Sequence, residues 1–362
     1  MTVYRRAGAV ASAQLDLFYR DLQAAHLYPL WNLGRELLPS HPRPRAVPWV
    51  WRAAAMYPLA ERAIRAVPLD SGGERRVLSL GNPGLGGEPY AAGTLWGGLQ
   101  CLGPGETAPA HRHTPGAIRF VLKGTGVWTT VNGDPCDMNP GDLVLTPSWY
   151  WHDHTNSGGG NMFWFDGLDL PMIEALDAVF FEPHAEFMQP VIGPHNQSEQ
   201  FLGTAPARYA EDASRPLGPG SSPLLAYRWA DTDAELARLA SERDQAMVSI
   251  EFVNPQTGAS VLPTLSCSMH RLGPGRRTDP LRRTGNAIFV AFRGAGQTVV
   301  NGLRIDWSEG DIFVIPSWAA AEHRSAGGAD LFALADTPVL RALGIYREET
   351  LAGPQPVDGT LS

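Results

Sequence analysis

The sequence predicts an all-β protein with a helical N-terminal segment, folded as two jelly-roll barrels made by an internal duplication. Three observations carry this expectation. The 362 residues exceed one ordinary domain, which points to two domains or a duplicated one. The 39 glycines and 31 prolines supply many turns, which suits short strands better than a helix bundle. The chain also repeats itself. LGPGETAPAHRHTPGAIRFVLKGTG from Leu102 is answered by LGPGRRTDPLRRTGNAIFVAFRGAG from Leu272, and VNGDPCDMNPGDLVLTPSWYWHDH from Val131 by VNGLRIDWSEGDIFVIPSWAAAEH from Val300. A repeated unit of about 100 residues rich in short strands is most simply a small barrel.

Taken in order, residues 1–75 form the helical segment. LDLFYRDLQAAHLYPLWNLGRELL spaces its apolar residues by three and four, HPRPRAVP interrupts, and WVWRAAAMYPLAERAIRAV resumes the pattern. From Arg76 the texture changes. RRVLSL, TLWGGLQCL, IRFVLKG, GVWTTVNG and DLVLTPSW are β-rich runs parted by Gly, Pro and Asn, and they place the first barrel at 76–170. Residues 171–245 are a linker with helices, including the stretch DTDAELARLASERD. Residues 246–345 form the second barrel, and 346–362 a tail.

The net charge of −8 argues against a nucleic-acid surface, which needs a basic face. No apolar run approaches the roughly 20 residues of a membrane span. The N-terminus carries an arginine pair but lacks the apolar core of a signal peptide, so a cytoplasmic protein is expected. Cys101, Cys136 and Cys267 show no CxxC spacing and read as buried free thiols rather than a disulfide framework.

The chemistry concentrates in the first repeat. His111, His113, Ala117 and Arg119 share parity, so on a strand they face one way. His152 follows the PSWYW turn, where a barrel can bring it opposite that pair. Three neutral imidazoles that converge inside a barrel make a metal site, and imidazole suits iron, zinc, copper and nickel. The second repeat is an internal control. Its counterparts of His111, His113 and His152 are Leu281, Arg283 and Ala321, while the Gly, Pro, Asp and Trp of the turns remain. The turns therefore serve folding, and the three histidines need another reason. His154 keeps its counterpart, His323, which leaves a structural role open beside one near the metal. Arg119 answers to Phe289, so the fold does not need the arginine, and its guanidinium suits a carboxylate.

GETAPAHRHTPGAIRFVLKG and GDLVLTPSWYWHDHTN resemble the two cupin motifs. Gly105, His111, His113 and Gly124 fit the first, but Ala117 stands where cupins place a glutamate ligand. Gly141, Pro147, His152 and Asn156 fit the second, with Trp149 at a usual glycine position. With DGLD added, the chain as a whole resembles a bicupin of the gentisate and salicylate 1,2-dioxygenase family, in which three histidines bind Fe(II) without a glutamate and the second cupin is degenerate.

The resemblance implies a ring-cleaving dioxygenase. It would open a 2-hydroxybenzoate (gentisate, salicylate or a 5-substituted salicylate such as 5-nitrosalicylate) between the carboxyl- and hydroxyl-bearing carbons, using O2. It also implies Fe(II) on His111, His113 and His152, and a homo-oligomer, by family habit a tetramer. Three neutral ligands leave the metal its full charge for a dianionic chelate, where a glutamate would crowd that face. Arg119 would bind the substrate carboxylate, with Arg75, preferred over Arg76, as a second anion contact. Trp96, Gly98 and Gln100 would line the pocket, the small Gly98 leaving room above the ring. His154 would move a proton or stabilise developing oxyanion charge, and Asp166 would orient a histidine or an arginine. Rival expectations are a 1-hydroxy-2-naphthoate dioxygenase, a zinc or manganese cupin enzyme, and a non-catalytic cupin that binds a small acid.

Overall fold

The computed structural model describes residues 13–68, 76–203, 208–209 and 220–361. The chain divides into two compact units at Arg43 and Pro44. The first holds helices Ala13–Ala24 and Leu30–Leu37, and the Trp31 indole donates to the Tyr19 hydroxyl at 3.3 Å. Arg75 lies outside the described residues.

The second unit carries both barrels. A helix, Ala53–Ala66, follows a short strand, Trp49–Trp51, within the stretch expected to be helical. Aromatic and β-branched residues favour extension at WVW, and the strand pairs with Ile312–Ile315 of the second repeat.

The first barrel is two facing sheets. One orders Ala226–Tyr227, Leu143–Thr146, Ala117–Lys123, Met162–Leu168, Trp96–Leu102 and Val77–Ser79. The other orders Phe181–Pro183, Thr107–His113, His152–Asn156, Val127–Val131 and Asp134–Met138. Gly124 and Gly126 both take positive φ, at 104° and 84°, and there the chain leaves one sheet for the other. In the second repeat the equivalent strand, Ala287–Val300, runs on unbroken past Gly294 with a register shift, so its two sheets join as one.

Strand alternation decides what each barrel holds. In Ala117–Lys123, Ile118 and Phe120 face away from the barrel and enter a core shared with the second repeat, where Phe120 stacks on Phe332 at 4.1 Å and 7°. Arg119 and Val121 face inward, Val121 into a second apolar cluster with Val144 and Trp164. The barrels thus pack back to back through their outer faces and keep their interiors separate. Two reciprocal contacts tie them: the Thr264 hydroxyl donates to Asp169, and the Thr94 hydroxyl to Asp336. Each aspartate also accepts a backbone N–H of its own repeat, Gly116 and Asn286 respectively.

The three cysteines are free and buried, as expected. No helix among the described residues is long and apolar enough to cross a membrane.

Candidate active site

Strands Thr107–His113 and His152–Asn156 are antiparallel neighbours with His111 opposite His152. A register shift between Ala108 and His111 turns the end of the first strand, so that His111 and His113 both reach His152. The ring centres lie 4.2 Å (His111–His152), 4.8 Å (His113–His152) and 5.7 Å (His111–His113) apart. One nitrogen from each ring falls within 4.8 Å of the other two.

The outer nitrogens fix which atoms face inward. Nδ1 of His111, His113 and His152 bonds a backbone carbonyl in each case, Pro109 at 2.9 Å, Pro115 at 2.7 Å and Tyr150 at 3.0 Å. A carbonyl only accepts, so each Nδ1 carries the proton and each Nε2 keeps its lone pair. His152 Nε2 is buried without a hydrogen-bond partner among the described residues. Burial, reinforced by His111 and Arg119, holds the His152 imidazole well below its usual pKa and therefore neutral. An orphaned lone pair in a largely buried, all-imidazole cluster fits a divalent metal ion. Ala117 is buried, and no carboxylate joins the cluster among the described residues.

The turn that delivers His152 is strained in both repeats. Trp149 and Trp318 have φ of 65° and 64°, the left-handed region in which a cupin would use glycine. The Trp149 amide donates to the His113 carbonyl at 2.8 Å, and Arg112 lies over the rings of Trp149 and Trp151, 4.4 Å from each. Trp318 repeats this with the Arg283 carbonyl and the Arg282 guanidinium. The strain belongs to the fold, since the second copy keeps it without histidines.

Arg119, Asp166 and Gly98 lie side by side across three strands. Arg119 is buried, and its Nη1 donates to the Thr146 hydroxyl. Its Nε stands 3.6 Å from Asp166 Oδ1 and lacks a proper hydrogen bond. The Trp164 indole donates to the same Oδ1 at 3.0 Å. Burial raises the Asp166 carboxyl to about 6 although Arg119 opposes it. The guanidinium stays charged, because arginine does not deprotonate in proteins.

His154 is buried. Its Nδ1 meets the Thr129 hydroxyl at 2.8 Å, and its ring lies 5.3 Å from Trp164 and 6.1 Å from His152. Gln100 is buried opposite Trp164. Gly98 differs from expectation. A Cβ there would come within 2.5 Å of Val77 Cγ1 and 2.7 Å of the Trp96 indole, so the glycine makes room for those side chains and leaves no open space of its own. Arg76 is already committed: it donates to the Ile64 carbonyl at 2.9 Å and pairs with Glu106, closing the end of helix Ala53–Ala66.

Sequence reasoning missed Thr146, Thr129 and Trp164 as supports, and Phe181, whose ring lies 5.4 Å from His111. The repeat carried a signal for two of them, since Thr146 answers to Ile315 and Trp164 to Leu331.

Comparison with known proteins agrees with this geometry. Residues 98–168 match the family model described as a cupin domain. A gentisate 1,2-dioxygenase of Streptomyces sp is 43% identical over 92% of this chain and 94% of its own length. A 5-aminosalicylate 1,2-dioxygenase of Comamonas sp is 36% identical over 94% of this chain and 92% of its own. The crystal structure of a salicylate 1,2-dioxygenase from Pseudoaminobacter salicylatoxidans, solved as adducts with gentisate, superposes with a TM-score of 0.88. It is 38% identical and the match covers 97% of this chain and 98% of that one.

Proposed function

The chain belongs to the gentisate and salicylate 1,2-dioxygenase family of ring-cleaving dioxygenases, and we propose that it opens a 2-hydroxybenzoate with O2 at Fe(II) held by His111, His113 and His152. The observation that carries this reading is the convergence of three imidazoles, two buried and one half-buried, with no carboxylate among them, beside a buried arginine. Bound iron would supply the open positions at which substrate oxygens and dioxygen meet, and the electron transfer between them.

The protein's own groups do the rest. The three Nδ1–carbonyl bonds hold each imidazole neutral and aimed inward, so little reorganisation is needed when a cation binds. Arg119 would take the substrate carboxylate. Thr146 and Asp166 fix its Nη1 and Nε side, and Nη2 has no partner among the described residues. In this dry setting a guanidinium–carboxylate contact is strong and orients the ring. Asp166 positions Arg119 and balances its charge. Trp96 and Gln100 would form pocket wall, and Gly98 would admit the Trp96 indole over the strand. Arg75 remains the second anion contact in this reading. With His154 Nδ1 engaged by Thr129, Nε2 is the atom that would carry a proton to or from the reacting oxygen. A homo-oligomer is part of the same reading, by family habit.

The test is oxygen uptake by anaerobically iron(II)-loaded protein offered gentisate, salicylate, 5-nitrosalicylate and 1-hydroxy-2-naphthoate in parallel, with absorbance of the ring-opened product followed. Uptake with one or more of the benzoates is expected. No uptake with any of the four, despite one bound iron per chain, would sink the reading.

A further inference from the structure

The second barrel has its own cavity, of about 390 Å³, in the place where the first barrel gathers its histidines. That volume falls within the roughly 300–1,000 Å³ usual for small-molecule sites. A barrel that had only lost its ligands could have closed over apolar side chains. This one carries a different polar set of its own, with serines gained at two positions. Where the first barrel has Val77, Gly98 and Gln100, the register of the second places Ser249, Ser268 and His270. His270 Nδ1 meets the Ser249 hydroxyl at 2.7 Å and Nε2 meets Ser268 at 2.9 Å. Where the first has His113, the second has Arg283. The first barrel folds without these groups, and burying polar groups costs stability, so the fold does not account for them.

Their arrangement points to one kind of ligand. Arg283 lines the cavity half-buried, and its guanidinium has no ion-pair or hydrogen-bond partner among the described residues. The acids at the rim, Asp279 and Glu348, are exposed, and Glu348 accepts from the Tyr346 hydroxyl. Phe289 also lines the cavity. It stands in place of Arg119, paired with Ala333 in place of Asp166, and is flanked by His270 and His323 with ring centres 5.8 Å and 5.2 Å away. Leu281 and Ala321, which replace two metal ligands, make the floor apolar. His323 is fixed through Nδ1 by the Thr298 hydroxyl at 2.9 Å.

We propose that the second barrel binds a planar aromatic monocarboxylate without metal, its carboxylate on Arg283 and its ring against Phe289. A guanidinium facing a carboxylate supplies charge-assisted hydrogen bonds. Phe289 is itself buried and stacked on Phe313 at 5.2 Å and 6°, and the part of its ring that lines the cavity favours a flat ring over an aliphatic chain. His323 Nε2 remains to bond a ring substituent. The cavity would then hold an effector, or a reserve copy of a substrate-like acid, some distance behind the site where the reaction runs.

The test is anaerobic calorimetric titration of the iron(II)-loaded full chain with salicylate. Two equivalents per chain are expected. His113→Ala removes the equivalent that depends on the metal and leaves the other. Arg283→Ala does the reverse, weakening the metal-independent equivalent about tenfold or more. Ala321→Leu, which fills the cavity floor without touching a charge, serves as the second variant, and circular dichroism confirms that each variant folds. A single equivalent in the wild type that disappears with His113→Ala would overturn the proposal. So would a second equivalent indifferent to both Arg283→Ala and Ala321→Leu. Failure of the iron reading looks different: His113→Ala would then leave the stoichiometry unchanged.

Discussion

The two barrels share their turns and differ in their interiors. Both hold a tryptophan at positive φ after Pro-Ser, an asparagine at positive φ in the Val-Asn-Gly hairpin, and an aspartate that crosses to a threonine of the other repeat. Inside, His111, His113, His152, Arg119 and Asp166 of the first correspond to Leu281, Arg283, Ala321, Phe289 and Ala333 of the second. The barrel is therefore specified by turns, caps and the back-to-back core. The five interior residues are an addition that the fold tolerates, and their cost falls on the first barrel alone.

The largest effect expected from this contrast is on the metal. His113→Ala should abolish metal retention and ring cleavage while the far-UV circular dichroism stays native, because the second barrel folds with no histidine there. The loss of affinity should exceed the roughly 10–100-fold typical of removing a supporting partner. Metal analysis after gel filtration decides it, and a variant that keeps one iron per chain would remove His113 from the ligand set.

Next comes the buried pair. Arg119→Ala removes the cation that opposes burial at Asp166, so the carboxyl rises further and takes up a proton at neutral pH; loss of one partner of a buried pair costs up to about 3–5 kcal/mol. The double replacement Arg119→Phe with Asp166→Ala copies the second barrel. It should recover most of that stability while substrate binding stays lost. Urea denaturation separates the outcomes. A double variant no more stable than Arg119→Ala would mean that Phe289 and Ala333 rely on surroundings the first barrel lacks.

Much of this contrast is legible in the sequence alone. The duplication, the turns and the three histidines stand in the sequence, because turn residues and HxH spacing are local signals and the second copy shows which of them folding needs. What lay hidden depends on register. Asp166 meets Arg119 only because Met162–Leu168 pairs antiparallel with Ala117–Lys123, and nothing local announces that pairing. Gly98 misled for a related reason, since the space it frees is claimed by Val77 from a neighbouring strand and by Trp96 two residues away. Strand Trp49–Trp51 was hidden because its partner lies more than 260 positions later.

A smaller effect separates orientation from chemistry. Thr129 holds His154 as Thr298 holds His323, at 2.8 Å and 2.9 Å. Thr129→Val should cost about 1 kcal/mol of stability, the net contribution of one buried hydrogen bond, and Thr298→Val more, since Thr298 also accepts from the Trp307 indole at 2.9 Å. Only Thr129→Val should lower turnover, with substrate binding little changed, since only that histidine stands beside the candidate metal site. Equal turnover in the two variants would make His154 a structural residue like His323.

The last effect is a pH dependence carried by Asp166, a carboxyl that the second barrel replaces with Ala333. The buried Asp166 carboxyl titrates near 6 in the folded chain, above its ordinary value of 3.8, because burial disfavours the charge more than Arg119 supports it. Between those values the folded chain holds a proton that the unfolded chain has released. By linkage this carboxyl's contribution to stability falls as pH rises from about 4 to 6 and is flat above. Asp166→Asn should remove that slope, worth on the order of 1–3 kcal/mol across the window. Ala333→Ser, at the matching place in the second barrel, should leave it intact. Urea midpoints at pH 4.5 and 7 for the three proteins make the comparison. An unchanged difference between the two pH values in Asp166→Asn would show that Arg119 holds the carboxylate ionised throughout, with the pair carrying its full charge over the whole working range.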